Sequence, residues 1–373
     1  MRRIPARYRS MVVALAVLVI FALIPFAGWH IPWILPGPED ILNSTGTLAP
    51  LAVCFLFAGV AIGYDLVFGY TGLLSLGTAL FFAIGAYVFT ITVTDWHWPF
   101  FPAVAVAFAV AVVVAVLSGA VALRVSGIAF AMVTLAFAQA FYFAIETNPH
   151  GLTGGESGLS LNDAGLPSIV QGAVSNTRNL YWIALGFVAV AACIVWTVTS
   201  SETGHLIVAI RENERRIEVL GIRPYWYKLL SVVISSVIAA GGGIVYVLLI
   251  GTVLPGTVAS TSVTIAILIM VVLGGPGTRW GALIGAMVYE YLQQYLNKVS
   301  AEPTFTSLPA VLRVPLSQPE FLLGILFIAF VVFVPGGFTG LYYRHKAKSL
   351  QAASGDVTRR TIGSLVKRTP PDR

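Results

Sequence analysis

Charge is what this sequence has least of. Only 10% of its 373 residues are Asp, Glu, Lys or Arg, whereas a soluble globular domain carries about 25%. So little charge cannot coat a water-facing surface, and a soluble enzyme or solvated binding module is excluded. Cysteine is almost missing as well. The two present, Cys54 and Cys193, lie inside apolar runs and read as small core residues, so a disulfide framework is excluded. No GxxxxGK[ST] phosphate loop exists; "GGPGTRWG" (274–281) has the glycines but not the lysine that reaches phosphates. There is no HExxH and no CxxC, and the five histidines (30, 97, 150, 205 and 345) are scattered rather than clustered as metal ligands would be. Acids at membrane depth are too few to supply the nucleophile–base pair or acid pair of an intramembrane enzyme. The chain is therefore read as having no catalytic residue, no metal site and no cofactor.

Long apolar runs are what the sequence does have. Hydrophobic residues make up 57% of it, and the mean hydropathy is +0.87. The runs are of about 18–24 residues, the length that crosses about 30 Å of hydrocarbon. The short alternating segments of an outer-membrane barrel are missing. The expected fold is an all-α polytopic membrane protein with about ten spans: 11–28, 48–67, 73–94, 101–123, 127–146, 181–199, 229–250, 258–274, 279–297 and 320–335. The first run follows Arg2, Arg3, Arg7 and Arg9, but its length and the lack of a small-residue cleavage site mark a retained helix.

The basic residues set the orientation. With the N-terminus in the cytoplasm, nineteen of the 22 Lys and Arg fall on the cytoplasmic side, and only Arg178, Lys298 and Arg313 fall outside. Both termini are then cytoplasmic. The expected organisation is a basic N-terminus over 1–10, a transmembrane domain over 11–340 and a basic tail over 341–373. Within the domain, 147–180 forms an external loop and 201–228 a cytoplasmic one. The tail is polar enough to be largely disordered, with anionic lipid headgroups as a possible contact.

The loop at 201–228 contains "HLIVAIRENERRIEVLGIRPYWYKLL" (205–230), where six of the eight residues from Arg211 to Glu218 are charged. The pattern predicts a helix over 207–221. Glu214 and Glu218 share a face, Arg211 precedes Glu214 by three positions and Arg215 precedes Glu218 by three, so ion pairs can lace the surface. Gly221 stands where a C-terminal cap is expected and Pro224 blocks continuation. Ile210, Ile217 and Leu220 supply a narrow apolar edge. Such a helix suits docking to another protein; a solvated loop whose arginines only fix orientation is the other reading.

"AIRENERRIEVLGIRPYWYKLLSVVIS" (209–235) resembles the cytoplasmic coupling loop of the permease subunits of branched-chain amino acid ABC importers, the hydrophobic amino acid uptake family. Arg211, Glu212, Asn213, Glu214, Glu218, Gly221 and Lys228 fit that pattern; Ile217 departs from it, standing where alanine is usual. "GYTGLLSLGTALFFAIGAY" (69–87) is similar to the family's broken-helix signature. "VSGIAFAMVTLAFAQ" (125–139) with "LTGGESGL" (152–159) is similar to its central helix and external loop, and "GGPGTRWGALIGA" (274–286) to its second glycine motif. The resemblance covers about 50–340. It implies a multi-pass permease subunit in the cell (inner or plasma) membrane of a bacterium. It also implies partners: two ABC ATPase subunits, a second homologous permease subunit and an extracytoplasmic substrate-binding protein, with membrane lipid around them and no nucleic acid. Arg211, Glu212, Asn213, Glu214, Glu218 and Gly221 would then couple to the ATPase.

Polar groups at depth mark the candidate path. Gly69, Gly72 and Gly77 each weaken a helix by about 1 kcal/mol relative to alanine, and Thr71 and Ser75 can bond backbone groups freed by a break. Discontinuous helices in transporters place helix ends at the substrate, and a helix N-terminus attracts a carboxylate. Tyr70, Thr71, Gly72 and Ser75 are thus candidates for lining the path, with close packing through small residues as the alternative. Thr134 and Gln139 are candidates for interhelical hydrogen bonds or for the path. Glu290 is the acid nearest the bilayer centre and a candidate for substrate contact or subunit pairing; Asp65 reads as interfacial. Gly277, Gly281 and Gly285 recur every four residues and are read as helix packing. The expected function is half of a translocation path for branched-chain amino acids. Urea, short amides or other amino acids are alternative cargoes. A proton-coupled secondary transporter using Glu290 and a downhill channel are alternatives of another kind.

Overall fold

The computed structural model describes residues 19, 21–26, 45–148, 151–161, 167, 176–300, 319–333 and 336–340. Most of the expected first span (11–28), the basic N-terminus, the middle of the external loop and the tail from 341 lie outside the described residues.

The described chain is helical almost throughout. Helix α1 (Thr45–Asp65) runs into a π-helical turn (Leu66–Tyr70), then α2 (Thr78–Thr94), α3 (Phe100–Ala122), α4 (Ile128–Thr147) and α5 (Thr177–Ser200). The charged loop folds as α6 (Glu202–Glu212) and α7 (Glu214–Val219), followed by α8 (Pro224–Ile250), α9 (Pro255–Val258), α10 (Thr261–Gly274), α11 (Gly281–Ser300) and α12 (Pro319–Phe333). Two short strands, β1 (Leu159–Ser160) and β2 (Thr252–Val253), pair antiparallel and tie the loop after α4 to the end of α8.

Six described helical stretches are long and apolar enough to cross a membrane: 46–70, 100–122, 128–147, 177–200, 224–250 and 255–274. The other expected spans are not among these six described stretches. Helix α2 has only 17 residues because the segment 71–77 is not helical, and α12 has 15. Helix α11 carries Glu290, Gln293, Gln294 and Asn297 in its second half, which makes it too polar for that group.

Burial sorts these helices into layers. Helix α1 is the most enclosed of the six long stretches and packs against α5, α8 and α11. Helices α2 and α8 pack along each other beside it. Their approach is very close: a Cβ on Gly85 would lie 2.7 Å from Ala240 Cα, and a Cβ on Gly243 would lie 2.9 Å from Ala86 N. Helix α3 buries Ala103, Ala107, Ala111, Ala115 and Gly119, one small residue per turn, against this core. Its other faces expose Val112, Val113, Val116 and Leu117. Exposed branched aliphatic chains around a buried stripe of small residues are the pattern of a lipid-facing helix, since lipid replaces water on the outer side and close packing holds the inner.

Candidate functional site

The break in the first two helices organises the site. Helix α1 stays regular to Asp65 and then widens into the π turn. Carbonyls near a helix end lack their usual partners; here Leu66 O accepts from Thr71 N at 3.1 Å and from Thr71 Oγ1 at 2.7 Å. Gly72 follows with φ +77°, a conformation that glycine adopts without steric cost, and the chain leaves the helix axis. Helix resumes at Thr78.

Side chains from other helices hold the open segment in place. Tyr64 Oη donates to Ser75 O at 2.9 Å. Leu76 N donates to Thr134 Oγ1 at 3.0 Å, and Ala79 N donates to Thr264 Oγ1 at 2.9 Å. Gly77 N donates to Ser75 Oγ at 3.3 Å. Gln139 Nε2 donates to Thr261 Oγ1, fastening α4 to the start of α10. The bonds to Ser75 O and to the amides of Leu76, Gly77 and Ala79 satisfy backbone groups that the break would otherwise leave bare in a dry interior.

Two cavities flank the segment. One is lined by Ser75, Phe81, Ser118, Phe130, Thr134 and Val232 among others. The second is lined by Tyr64, Ser75, Thr78, Phe81, Ser235 and Ser236 among others. Ser75, Phe81 and Val232 are common to both. The walls are apolar and aromatic with a few converging hydroxyls, the usual make-up of a small-molecule pocket.

The charged loop docks at the end of α1 and departs from the single helix expected over 207–221. It is broken at Asn213, whose backbone is extended (φ −159°, ψ 96°) and whose side chain accepts from Arg216 N at 3.0 Å. Asparagine competes with helix in this way and is a strong N-cap, so α6 ends and α7 begins there. The expected Arg211–Glu214 pair gives way to two other bonds. Glu214 Oε1 pairs with Lys228 Nζ at 2.5 Å, and Arg211 Nη1 donates to Gly69 O in the π turn. Glu212, Arg215, Arg216 and Glu218 are exposed. Gly221 has φ +83° and its N–H donates to Glu218 O at 2.9 Å.

Asp65, expected at the inner end of its span, is enclosed by protein there: it is 2% exposed, and its Oδ1 accepts from Gly277 N at 2.8 Å. Gly277 therefore serves in a turn (φ +72°) rather than inside a helix contact. Gly281 and Gly285 lie on α11, where Cβ atoms would strike backbone atoms of the Gly274–Gly275 turn and of α10. Glu290 lines neither of the two cavities described. It is buried where α11 meets α1, with Gln294 Nε2 donating to its Oε1 at 3.2 Å and also to Pro50 O at 3.4 Å. The structure thus brings Ser75 and Thr134 together in one lining, turns Thr71 back onto Leu66 O, leaves Gly72 at the mouth of the break and sets Glu290 outside both linings. Tyr70 is half-buried in the π turn. Tyr64, Thr264, Ser235 and Ser236 were not singled out from sequence; the signal for the last three was a hydroxyl inside a long apolar run.

A helical membrane bundle whose core is opened by a broken, hydroxyl-lined segment belongs to the class of solute permeases. Residues 46–333 match the family described as "Branched-chain amino acid transport system / permease component", and the chain belongs to that family. It is 27% identical over 276 residues to the high-affinity branched-chain amino acid transport system permease protein LivM of Escherichia coli K12, covering 67% of this chain and 63% of the relative. It is 28% identical over 274 residues to the protein of the same description from Salmonella typhimurium LT2, with the same coverages. The chain thus spans less than two thirds of the length of the curated relatives it matches. No solved structure matches it.

Proposed function

We propose that this chain is the membrane-spanning permease subunit of an ABC importer, forming half of a translocation path for branched-chain amino acids. It acts with two ATPase subunits, a second homologous permease subunit and an extracytoplasmic binding protein. It sits multi-pass in a bacterial cell membrane with about ten spans and both termini in the cytoplasm. The segment 201–228 is its ATPase-docking element. The observation that carries this reading is the contact of that segment with the break: a charged pair of helices, outside the bundle, seated on the end of the helix whose gap lines the cavities. A loop that only fixed orientation would need neither the Asn213 cap nor a seat at the break.

The lining supports the cargo. Phe81, Phe130, Phe137 and Val232 offer apolar walls to an aliphatic side chain, and Ser75, Thr134 and Ser235 offer hydroxyls to its polar end. Three amides that open α2 are already taken by Thr134, Thr264 and Ser75. Little remains there to grip a carboxylate tightly, which suits a path whose selectivity rests on the binding protein.

Glu290 separates this reading from a proton-coupled transporter. In proteoliposomes holding the whole transporter, Glu290→Gln keeps an acceptor for Gln294 and removes a titratable group. The expected result is ATP-driven uptake that survives collapse of the proton gradient and stays within about twofold of the parent, a few tenths of a kcal/mol in activation free energy. Uptake that stops on collapse of the gradient, and also in the Gln variant, would mean proton coupling.

A further inference from the structure

Among the charged residues of α6 and α7, Arg211 is the one whose side chain points into the membrane domain. Its Nη1 donates to Gly69 O. Its Cγ and Cβ lie 2.8 Å and 3.6 Å from where a Cβ on Gly72 would stand. Its Nη1 is 3.1 Å from the corresponding position on Gly277, and it is near enough to Asp65 to act on it electrostatically. One side chain therefore touches the π turn, the first bend of the open segment and the turn between α10 and α11.

The chemistry of that seat is specific. The end of a helix presents carbonyls without partners and the negative end of its dipole, so a cation is favoured there. A π turn inside an otherwise regular helix is frequent at functional positions. A guanidinium carries several fixed donors and can serve a carbonyl and a carboxylate together, which an ammonium does less well. The glycines make room: a Cβ on Gly69 would strike the Asp65 carboxylate and Gly277 N. Glu214 is held by Lys228 and Asn213 caps α7, so neither competes for the seat.

We propose that Arg211 is a positioning residue that latches α6 to the broken segment, and that the latch moves in each transport cycle. This rests on the importer reading, which supplies the force on α6. A displacement of α6 is carried through Arg211 to Gly69 and Gly72, three residues before Ser75, whose carbonyl is held by Tyr64 on the same helix as Asp65. The two cavities share Ser75, so the displacement changes the opening between them. Arg211, though exposed along its length, reaches inward with its guanidinium as the link, and the ATPase contact falls to Glu212, Arg215, Arg216 and Glu218.

The test is a reversible lock. Arg211→Cys with Gly72→Cys, in a chain carrying Cys54→Ala and Cys193→Ser, brings two Cβ positions to 3.6 Å, within the disulfide range of about 3.5–4.5 Å. In membranes holding the whole transporter, the reduced pair should start below the parent, because the guanidinium link is gone; oxidation should cross-link it and lower that remaining uptake about tenfold or more, the scale of an ordinary coupling free energy. A thiol reductant should restore the uptake of the reduced pair, and each single Cys variant should ignore the oxidant. Absence of the cross-link, or a cross-linked chain that transports normally, overturns the latch. A second variant keeps Gly72 native. Arg211→Gln should still co-purify with its ATPase and hydrolyse ATP while uptake per ATP falls; loss of co-purification would make Arg211 an ATPase contact and overturn the proposal. If uptake by the parent chain proves independent of ATP, the importer reading fails and the moving latch fails with it, whereas the cross-link yield reports the seat of α6 by itself.

Discussion

Replacing Gly243 with leucine is expected to leave no folded protein in the membrane. Gly243 faces α2, where an added Cβ would lie 2.9 Å from Ala86 N and 3.0 Å from the carbonyl carbon of Phe82. Gly85 returns the contact from α2, with 2.6 Å to the carbonyl carbon of Ala240. Each helix therefore rests on the other's backbone. Overpacking a core costs about 1–3 kcal/mol when side chains can give way; a backbone within a helix cannot yield without parting α2 from α8. These two helices carry the open segment and one wall of both cavities, so the site goes with the fold. Gly186 on α5 is the control. A Cβ there meets nothing within 4 Å, and alanine gains up to about 1 kcal/mol of helix propensity. The yield of monodisperse protein in detergent and its melting temperature should fall to nothing for Gly243→Leu and hold or rise for Gly186→Ala.

Asp65→Leu is expected to give the second-largest loss, this time with the protein folded. The carboxylate satisfies the Gly277 N–H in a buried place and puts a negative charge in the neighbourhood of Arg211. Leucine leaves that N–H bare, which costs about 1–3 kcal/mol, and removes that charge. Asparagine keeps an acceptor for Gly277 but not the charge. Uptake should fall about tenfold or more in Asp65→Leu, a loss of about 1.4 kcal/mol or more in activation free energy, and recover in part in Asp65→Asn. Equal losses in the two would place the weight on charge alone. Equal and normal uptake in both would remove this junction from the mechanism.

The membrane class was legible because composition and run length report it directly. The break between α1 and α2 was legible in part. Gly69, Gly72, Thr71 and Ser75 marked its place, but the sequence placed its end at 73 rather than Thr78, because "LLSLG" is as apolar as a span. Periodicity failed at Asn213, where one side chain that prefers to cap outweighs eight residues of helical charge spacing. It also failed for Arg211 and Asp65. Both pair with partners far along the chain, Gly69 and Gly277, and spacing within a segment carries no information about such contacts. The hydroxyls that hold the break, Thr134 and Thr264, come from α4 and α10 and join it only in three dimensions.

The most direct measurement is co-purification of tagged protein from its native membrane in mild detergent, with the parent chain beside Glu214→Lys/Glu218→Lys. Glu218 is exposed, and Glu214 pairs with Lys228 on α8, so the double reversal changes the outer face of α7 and also sets a lysine beside Lys228; Glu218→Lys alone is the control that leaves that pair intact. An importer permease should bring an ATPase with it, and the reversed variant, still folded by its melting temperature, should lose it. A parent chain that comes down without an ATPase, or a reversed variant that binds it as well as the parent does, would contradict the assignment of 201–228 as the docking element.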